Sequence, residues 1–265
     1  MGIALVTGGT SGIGATFARQ LAAKGEDIVL VARDRERLEQ MAHELRGMGR
    51  EVEVLPADLS KRADVARVVK RLEDPQRPID MLVNNAGFGM HSQLSDADSS
   101  GHDFAFEVMM RSVRELGAAS ARAMRARGRG RIINVSSTAG FVAMSSGYSA
   151  VKAWVTSFSE GLSNELHGTG VTVMALCPGW VHTEFHERAG ISKGGIPGWL
   201  WLDADKLVRS ALRDAERGTV ISIPSVRYKL LMGVVRHLPR SAVRRISRAI
   251  SSSRTVSSGS STVTK

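Results

Sequence analysis

Thr7-Gly8-Gly9-Thr10-Ser11-Gly12-Ile13-Gly14 decides the fold through what stands on either side of it. The apolar run Ile3-Ala4-Leu5-Val6 reads as a short strand, and roughly Gly12–Lys24 carries the apolar spacing of a helix. A glycine-rich turn between a strand and a helix opens a βαβ unit. Outward from it the alternation continues. Further strands are expected at Asp27–Ala32, Glu51–Pro56, Asp80–Asn84, Arg131–Ser136, Thr172–Cys177 and Thr219–Ile223. Helices are expected at about Arg35–Met48, Lys61–Glu73, Asp103–Arg127, Gly147–His167 and Asp203–Arg217. This order predicts an α/β fold, a doubly wound seven-stranded parallel sheet with helices on both faces.

Composition agrees with one large domain. The chain has 265 residues, 43% hydrophobic and 23% charged, enough for one sizeable core. Its single cysteine, Cys177, excludes an intrachain disulfide framework and a Cys-rich zinc site, and reads as a buried strand residue in a reducing compartment. Ile3–Val6 is too short for a signal sequence or a membrane span, and Val6 stands where a myristoylation signal carries Ser or Thr.

The net charge of +10 is unevenly placed. Residues 225–265 hold nine Lys or Arg and no Asp or Glu, which leaves 27 basic against 26 acidic side chains before them. The expected organisation is therefore a domain over 1–224, a basic amphipathic extension over 225–250, and a disordered Ser/Thr-rich tail over 251–265. Within the domain, 182–202 breaks the alternation. Its Gly190, Gly194, Gly195, Pro197 and Gly198 beside Trp199-Leu200-Trp201-Leu202 suggest a lid-like insertion.

The glycine-rich turn implies a phosphate ligand. Gly8 and Gly12 allow a tight turn and close backbone approach to a pyrophosphate, and Gly14 lets the helix pack on the strand. Thr10, Ser11 and Ile13 complete the turn at the helix N-terminus, which favours negative charge. An ordinary glycine turn is the plainer reading. The second strand ends Val31-Ala32-Arg33-Asp34-Arg35. An acidic residue there would accept ribose hydroxyls, whereas the planar cation of Arg33 suits a 2′-phosphate and favours NADP(H) over NAD(H). Asp34 keeps the ribose reading open, and Arg35 and Arg37 are either helpers or solvated helix residues. After the third strand, Asp58-Leu59 offers either a carboxylate for the adenine amino group or a helix N-cap, a role Ser60 also suits. After the fourth, Asn84-Asn85-Ala86-Gly87 either lines the ligand or ties loops together.

The chemistry is in Tyr148-Ser149-Ala150-Val151-Lys152. A tyrosine and a lysine four apart on a helix share a face, about 5–6 Å between Cβ atoms, so the ammonium can stabilise a phenolate. Together with the glycine-rich turn, Asn84–Gly87, Ser137 and Pro178-Gly179-Trp180-Val181-His182-Thr183, this resembles the short-chain dehydrogenase/reductase family over roughly residues 3–224. The resemblance implies a Rossmann-like fold and hydride transfer between a nicotinamide and a carbonyl or alcohol carbon. It makes Tyr148 the proton donor in reduction, Ser137 the carbonyl contact and Lys152 a ligand of the nicotinamide ribose. Thr183 then holds the carboxamide, in a segment with Pro178, Gly179 and Val181. Ser136 is an alternative to Ser137, although the family pattern matches the second serine.

One position departs from that pattern. The family usually carries an asparagine in the long helix before the serine-bearing strand, where it helps hold a water connecting the lysine to solvent. That position falls on Met109, and no asparagine lies between Asn85 and Asn134. A thioether is only a weak acceptor. The chain is therefore either a reductase with an altered proton route or a weakly catalytic nucleotide-binding protein.

Phe88, Met90, Phe141, Met144, Trp180, Trp199 and Trp201 would give the substrate cleft an apolar rim, which suits a lipophilic carbonyl such as a fatty acyl, steroid-like or aromatic ketone. Each could equally pack into the core or an interface. The basic extension reads as a helix packed on the body with its arginines in water, or as a contact with an anionic membrane. Nucleic-acid binding lacks a motif and aromatic interleaving. The resemblance implies a homodimer or homotetramer through the two long helices, and a cytoplasmic protein is expected.

Overall fold

Strand by strand, apolar side chains alternate between two cores, which is how a sheet covered on both faces must be built. In β1 (Ile3–Thr7), Ala4 and Val6 enter one core while Leu5 enters the other; in β2 (Asp27–Ala32), Ile28 and Leu30 oppose Val29 and Val31. The computed structural model describes residues 2–90, 92–142, 147–183, 197–239, 241–245 and 247. Seven strands form one sheet in the order β3-β2-β1-β4-β5-β6-β9, every pairing parallel. The others are β3 (Val52–Pro56), β4 (Met81–Asn84), β5 (Gly130–Val135), β6 (Val171–Leu176) and β9 (Ile221–Ser222).

Helices α1 (Gly12–Ala23), α2 (Arg35–Gly47) and α7 (Ala204–Glu216) cover one face, where Phe17, Leu21, Leu38, Leu45 and Leu212 are buried. Helices α3 (Arg62–Leu72), α5 (Ser112–Arg127) and α6 (Tyr148–Glu165) cover the other, around Val68, Leu72, Leu116 and Leu162. Each such large side chain contributes about 1.5–3 kcal/mol when fully buried. The chain runs outward from β1 to β3 and returns to set β4 beside β1, so the order of connections reverses between these two strands. A crevice opens at such a switch point beyond the strand C-termini, where the Gly8–Gly14 and Asn84–Gly87 loops emerge.

The expected elements recur with ends shifted by a residue or two, and three features differ. The helix expected over Asp103–Arg127 starts earlier, as α4 (Ser100–Phe106), and passes through a π-helical turn at Glu107–Arg111 before α5. The Ser112 amide bonds Glu107 O, five residues back, while its hydroxyl donates to Val108 O at 2.6 Å. That wider turn admits one extra residue and redirects the side chains around Met109. The two ends of the 182–202 insertion pair as a parallel ribbon, β7 (Trp180–Val181) with β8 (Trp201–Leu202), and residues 184–196 between them lie outside the described residues. After β9, Val226–His237 forms α8, whose Tyr228 and Met232 are buried against Ala175, Cys177 and Ile223. The expected tail over 251–265 lies outside the described residues. Among the described residues, no helix is long and apolar enough to cross a membrane.

Candidate active site

The glycine-rich turn has the backbone its glycines allow. Gly8 and Gly12 have φ of 65° and 53°, which side-chain-bearing residues rarely adopt. A Cβ on Gly14 would lie 2.2 Å from Gly8 O and 2.4 Å from Asn85 Nδ2, so only glycine fits where α1 meets the turn. Asn85 acts as a staple. Its amide donates to Thr7 O at 2.9 Å and Gly8 O at 3.3 Å, and the Thr7 hydroxyl accepts the Asn85 and Ala86 amides at 2.9 and 3.0 Å. Thr183 reaches over from the loop after β6, its Cβ 3.3 Å from where a Gly12 Cβ would stand. The structure thus brings together Gly8, Thr10, Ser11, Gly12, Ile13, Gly14, Asn85, Ala86, Gly87 and Thr183 around the start of α1.

At the end of β2 the two charges separate in role. Asp34 caps α2 by accepting the Arg37 amide at 3.1 Å, and it lies 3.8 Å from the Arg37 guanidinium. Arg33 is exposed and has no acidic partner among the described residues, which leaves its guanidinium open to an anion. Asp58 does not cap α3, whose N-cap is Lys61. Instead its Oδ1 accepts the Ser60 amide and hydroxyl at 3.0 and 2.8 Å, while its own amide donates to Asp64. The Leu59 side chain is buried in the core, so only its main chain can meet a ligand.

On the other side of the crevice, Ser137 follows β5 in extended conformation and Tyr148 begins α6. Their hydroxyls are hydrogen-bonded to each other. Ser137 Oγ also accepts the Ala139 amide at 3.1 Å and donates to Pro178 O at 3.5 Å. One turn along α6, buried Lys152 donates to Val135 O at 2.9 Å with its ammonium 5.6 Å from the Tyr148 ring centre. Ser136 points elsewhere. It is buried, donates to Lys152 O at 2.7 Å and shares a 2.8 Å bond with Thr156, so it anchors α6 while Ser137 meets the tyrosine.

Burial sets the electrostatics. It pushes the Tyr148 phenol above its ordinary range, and the Ser137 hydrogen bond draws it partway back. Burial lowers Lys152 to about 8, opposed by the neighbouring Cys177. The Cys177 thiol is itself pushed up to about 11 by burial. Lys152 is therefore a cation near neutrality that titrates just above it.

Met109 is buried in the π-helical turn. A Cβ on Gly87 would lie 3.2 Å from the Met109 sulfur and 3.7 Å from Lys152 Nζ, so thioether and ammonium flank the same glycine. The side chain beside Lys152 is thus apolar where the resemblance implied an amide.

Tyr148 joins one of two apolar clusters in this part of the fold. Phe88, Met90 and Phe104 pack with it against Met109 and Val151, while Phe141, Trp180 and Leu200 pack around Tyr228. Trp201 lies against Trp180 and stacks on His182 at 4.7 Å between ring centres. Met144 lies outside the described residues. Tyr228 is the residue that sequence reasoning overlooked. Its hydroxyl accepts the Trp180 amide at 3.1 Å and donates to Leu200 O at 2.9 Å, and its ring fills the space where a Gly179 side chain would project. The pairing of Gly179 with a tyrosine forty-nine residues later carries no local signal.

The chain is similar to known proteins of one family. The family model described as short chain dehydrogenase matches residues 2–193. A candidate ketoacyl reductase of the monensin polyketide synthase from Streptomyces virginiae is 41% identical over 190 residues, 70% of this chain and 73% of its own. Among solved structures, a short-chain dehydrogenase from Sphingobium yanoikuyae in complex with NADPH superposes with a TM-score of 0.81 at 36% identity, covering 90% of this chain and 96% of that one. A bulky-bulky ketone specific alcohol dehydrogenase from Comamonas testosteroni gives 0.77 at 30% identity, covering 91% and 96%. With its glycine-rich turn, its Ser137–Tyr148 pair and a family match over most of its length, the chain belongs to the short chain dehydrogenase family of oxidoreductases.

Proposed function

We propose that this protein is an NADPH-dependent reductase of lipophilic ketones or related carbonyl compounds, acting through Ser137, Tyr148 and Lys152. The observation that carries the reading is the Ser137–Tyr148 hydroxyl pair beside a buried lysine, with the tyrosine ring packed in an apolar cluster. The NADPH-bound relatives and the ketone-specific and ketoacyl-reducing ones support the same cofactor and substrate class.

The crevice fits a dinucleotide. Gly8, Gly12 and Gly14 clear space at the N-terminus of α1 for the phosphates, Arg33 offers an uncommitted cation for a 2′-phosphate, and one carboxylate oxygen of Asp58 is left for the adenine side. Pro178, Gly179, Val181 and Thr183 form the wall at the nicotinamide end, tied down through Pro178 O by Thr138. When bound, the cofactor supplies the hydride. The protein's own residues manage the proton. A carbonyl oxygen seated between Ser137 and Tyr148 receives hydrogen bonds from both hydroxyls, which polarises the carbon and holds the oxygen as negative charge develops. Tyr148 then gives up its proton to that oxygen, and the Lys152 ammonium, on the same face of α6, stabilises the phenolate left behind. The desolvation that makes Tyr148 a reluctant acid keeps it protonated until a substrate arrives.

The same reading includes a homodimer or homotetramer through α5 and α6. It is supported by the stacked Trp154 and Phe158 rings on α6, partly exposed, with Phe158 against Gly117 of α5. Light scattering on the purified chain checks the assembly. The activity is checked by following NADPH consumption and alcohol formation against bulky aryl ketones, steroid-like ketones and 3-oxoacyl esters. Stoichiometric alcohol from at least one class is the expected result. Tight NADPH binding without any alcohol would overturn the reading and leave a nucleotide-binding protein.

A further inference from the structure

The inner face of α8 is spoken for, because Tyr228 and Met232 are buried and Tyr228 holds the Trp180 and Leu200 main chains. The outer face is not. Val226, Leu230 and Val234, at intervals of four, line up along it and are 73%, 68% and 60% exposed, with Leu231 at 45% beside them. Trp199, 60% exposed, extends the patch across the cleft rim, and Arg227 ties the two by bonding Trp199 O. Lys229 and Arg236 are exposed along the edge of the same helix, and Arg236 lies over the Phe141 ring at 5.5 Å, in the turn that follows Ser137. Residues 225–265 add further cations and no carboxylate.

From this we infer that the outer face of α8, with Trp199, docks the protein on an anionic lipid surface, with the mouth of the catalytic cleft turned toward the bilayer. The charge pattern selects the occupant. An apolar stripe on a segment that carries cations and no Asp or Glu matches the headgroup and acyl boundary of an acidic membrane, where aliphatic side chains and tryptophan enter and Lys and Arg stay at the phosphates. A second copy of the same face would set these cations against each other. The surface stands apart from the substrate assignment, since vesicle binding is read without turnover. If the lipophilic substrate reading holds as well, the substrate enters directly from the membrane.

The test is co-sedimentation of the full chain with vesicles of phosphatidylcholine alone or with phosphatidylserine, comparing wild type with the Leu230→Asp/Val234→Asp double variant and with Lys229→Glu. The altered side chains are exposed, and unchanged circular dichroism and melting temperature confirm folding. Wild type is expected to pellet with the anionic vesicles, in a salt-sensitive manner. The double variant should lose roughly tenfold or more in partitioning, and Lys229→Glu should show a smaller loss. Failure to bind either vesicle, or equal binding by wild type and the double variant, overturns the proposal. So does light scattering that shows the double variant dissociating an oligomer, because the face then covers a second copy.

Discussion

Arg33 and Asp34 are neighbours in sequence with opposite charges, and the fold assigns them different work. Asp34 is consumed by the start of α2, and under the proposed function the exposed Arg33 is the cation that meets the 2′-phosphate. Loss of charge-assisted hydrogen bonds to a phosphate costs about 1.5–3 kcal/mol. Arg33→Ala should therefore lower kcat/KM for NADPH by roughly tenfold to a hundredfold and leave NADH almost untouched, as steady-state rates with the two cofactors would show. Lys152 carries a cost that the fold accepts for function. Its folded value near 8 lies below the ordinary 10.5, so the unfolded chain holds a proton that the fold gives up between those values. The burial cost is fully present below about pH 8 and is relieved as pH rises toward 10.5. Lys152→Met should raise unfolding stability at pH 7 by up to about 3 kcal/mol, less the lost bond to Val135 O. Urea unfolding should show that advantage shrinking at higher pH, in a protein without reductase activity.

At the scale of elements, the π-helical turn at Glu107–Arg111 and the contact of α8 with the Pro178–Thr183 loop shape the site most. The turn sets Met109 beside Lys152, where a thioether is a weaker acceptor for a water than the amide that the family resemblance implies. Met109→Asn should raise turnover on a good substrate several-fold, and unchanged turnover would show that the proton reaches Lys152 without that side chain. Tyr228→Phe keeps the ring on Gly179 but strands the Trp180 amide and Leu200 carbonyl, which costs about 1–3 kcal/mol. It should raise KM for cofactor and substrate more than it lowers kcat, a split that global destabilisation would not produce. These two elements also mark where sequence reading stopped. The strands were legible because both faces of the sheet are buried, so apolar runs stand out between helix-period segments. The glycine turn and the Tyr148–Lys152 spacing were legible because each is a local pattern set by residues close in sequence. The π turn keeps helical composition while changing its register by one residue. The β7–β8 ribbon and the Tyr228–Gly179 contact join residues some twenty and forty-nine positions apart with no periodicity to announce them.

Across the whole molecule, the reversal of strand order between β1 and β4 is what gathers the parts. It opens one crevice in which the glycine turn, the Asn85 staple and the loops after β5 and β6 meet. α8, from the far end of the chain, then packs against the end of β6 and the loop that follows it. Under the proposed function, this crevice reduces a carbonyl with Tyr148 as the proton donor. The most direct test of that role is NADPH oxidation with a bulky ketone by wild type and Tyr148→Phe, with NADPH binding followed in parallel by fluorescence. The rate should fall about 10²–10⁴-fold in the variant with cofactor binding nearly unchanged; a variant that turns over at the wild-type rate would show that Tyr148 is not the proton donor.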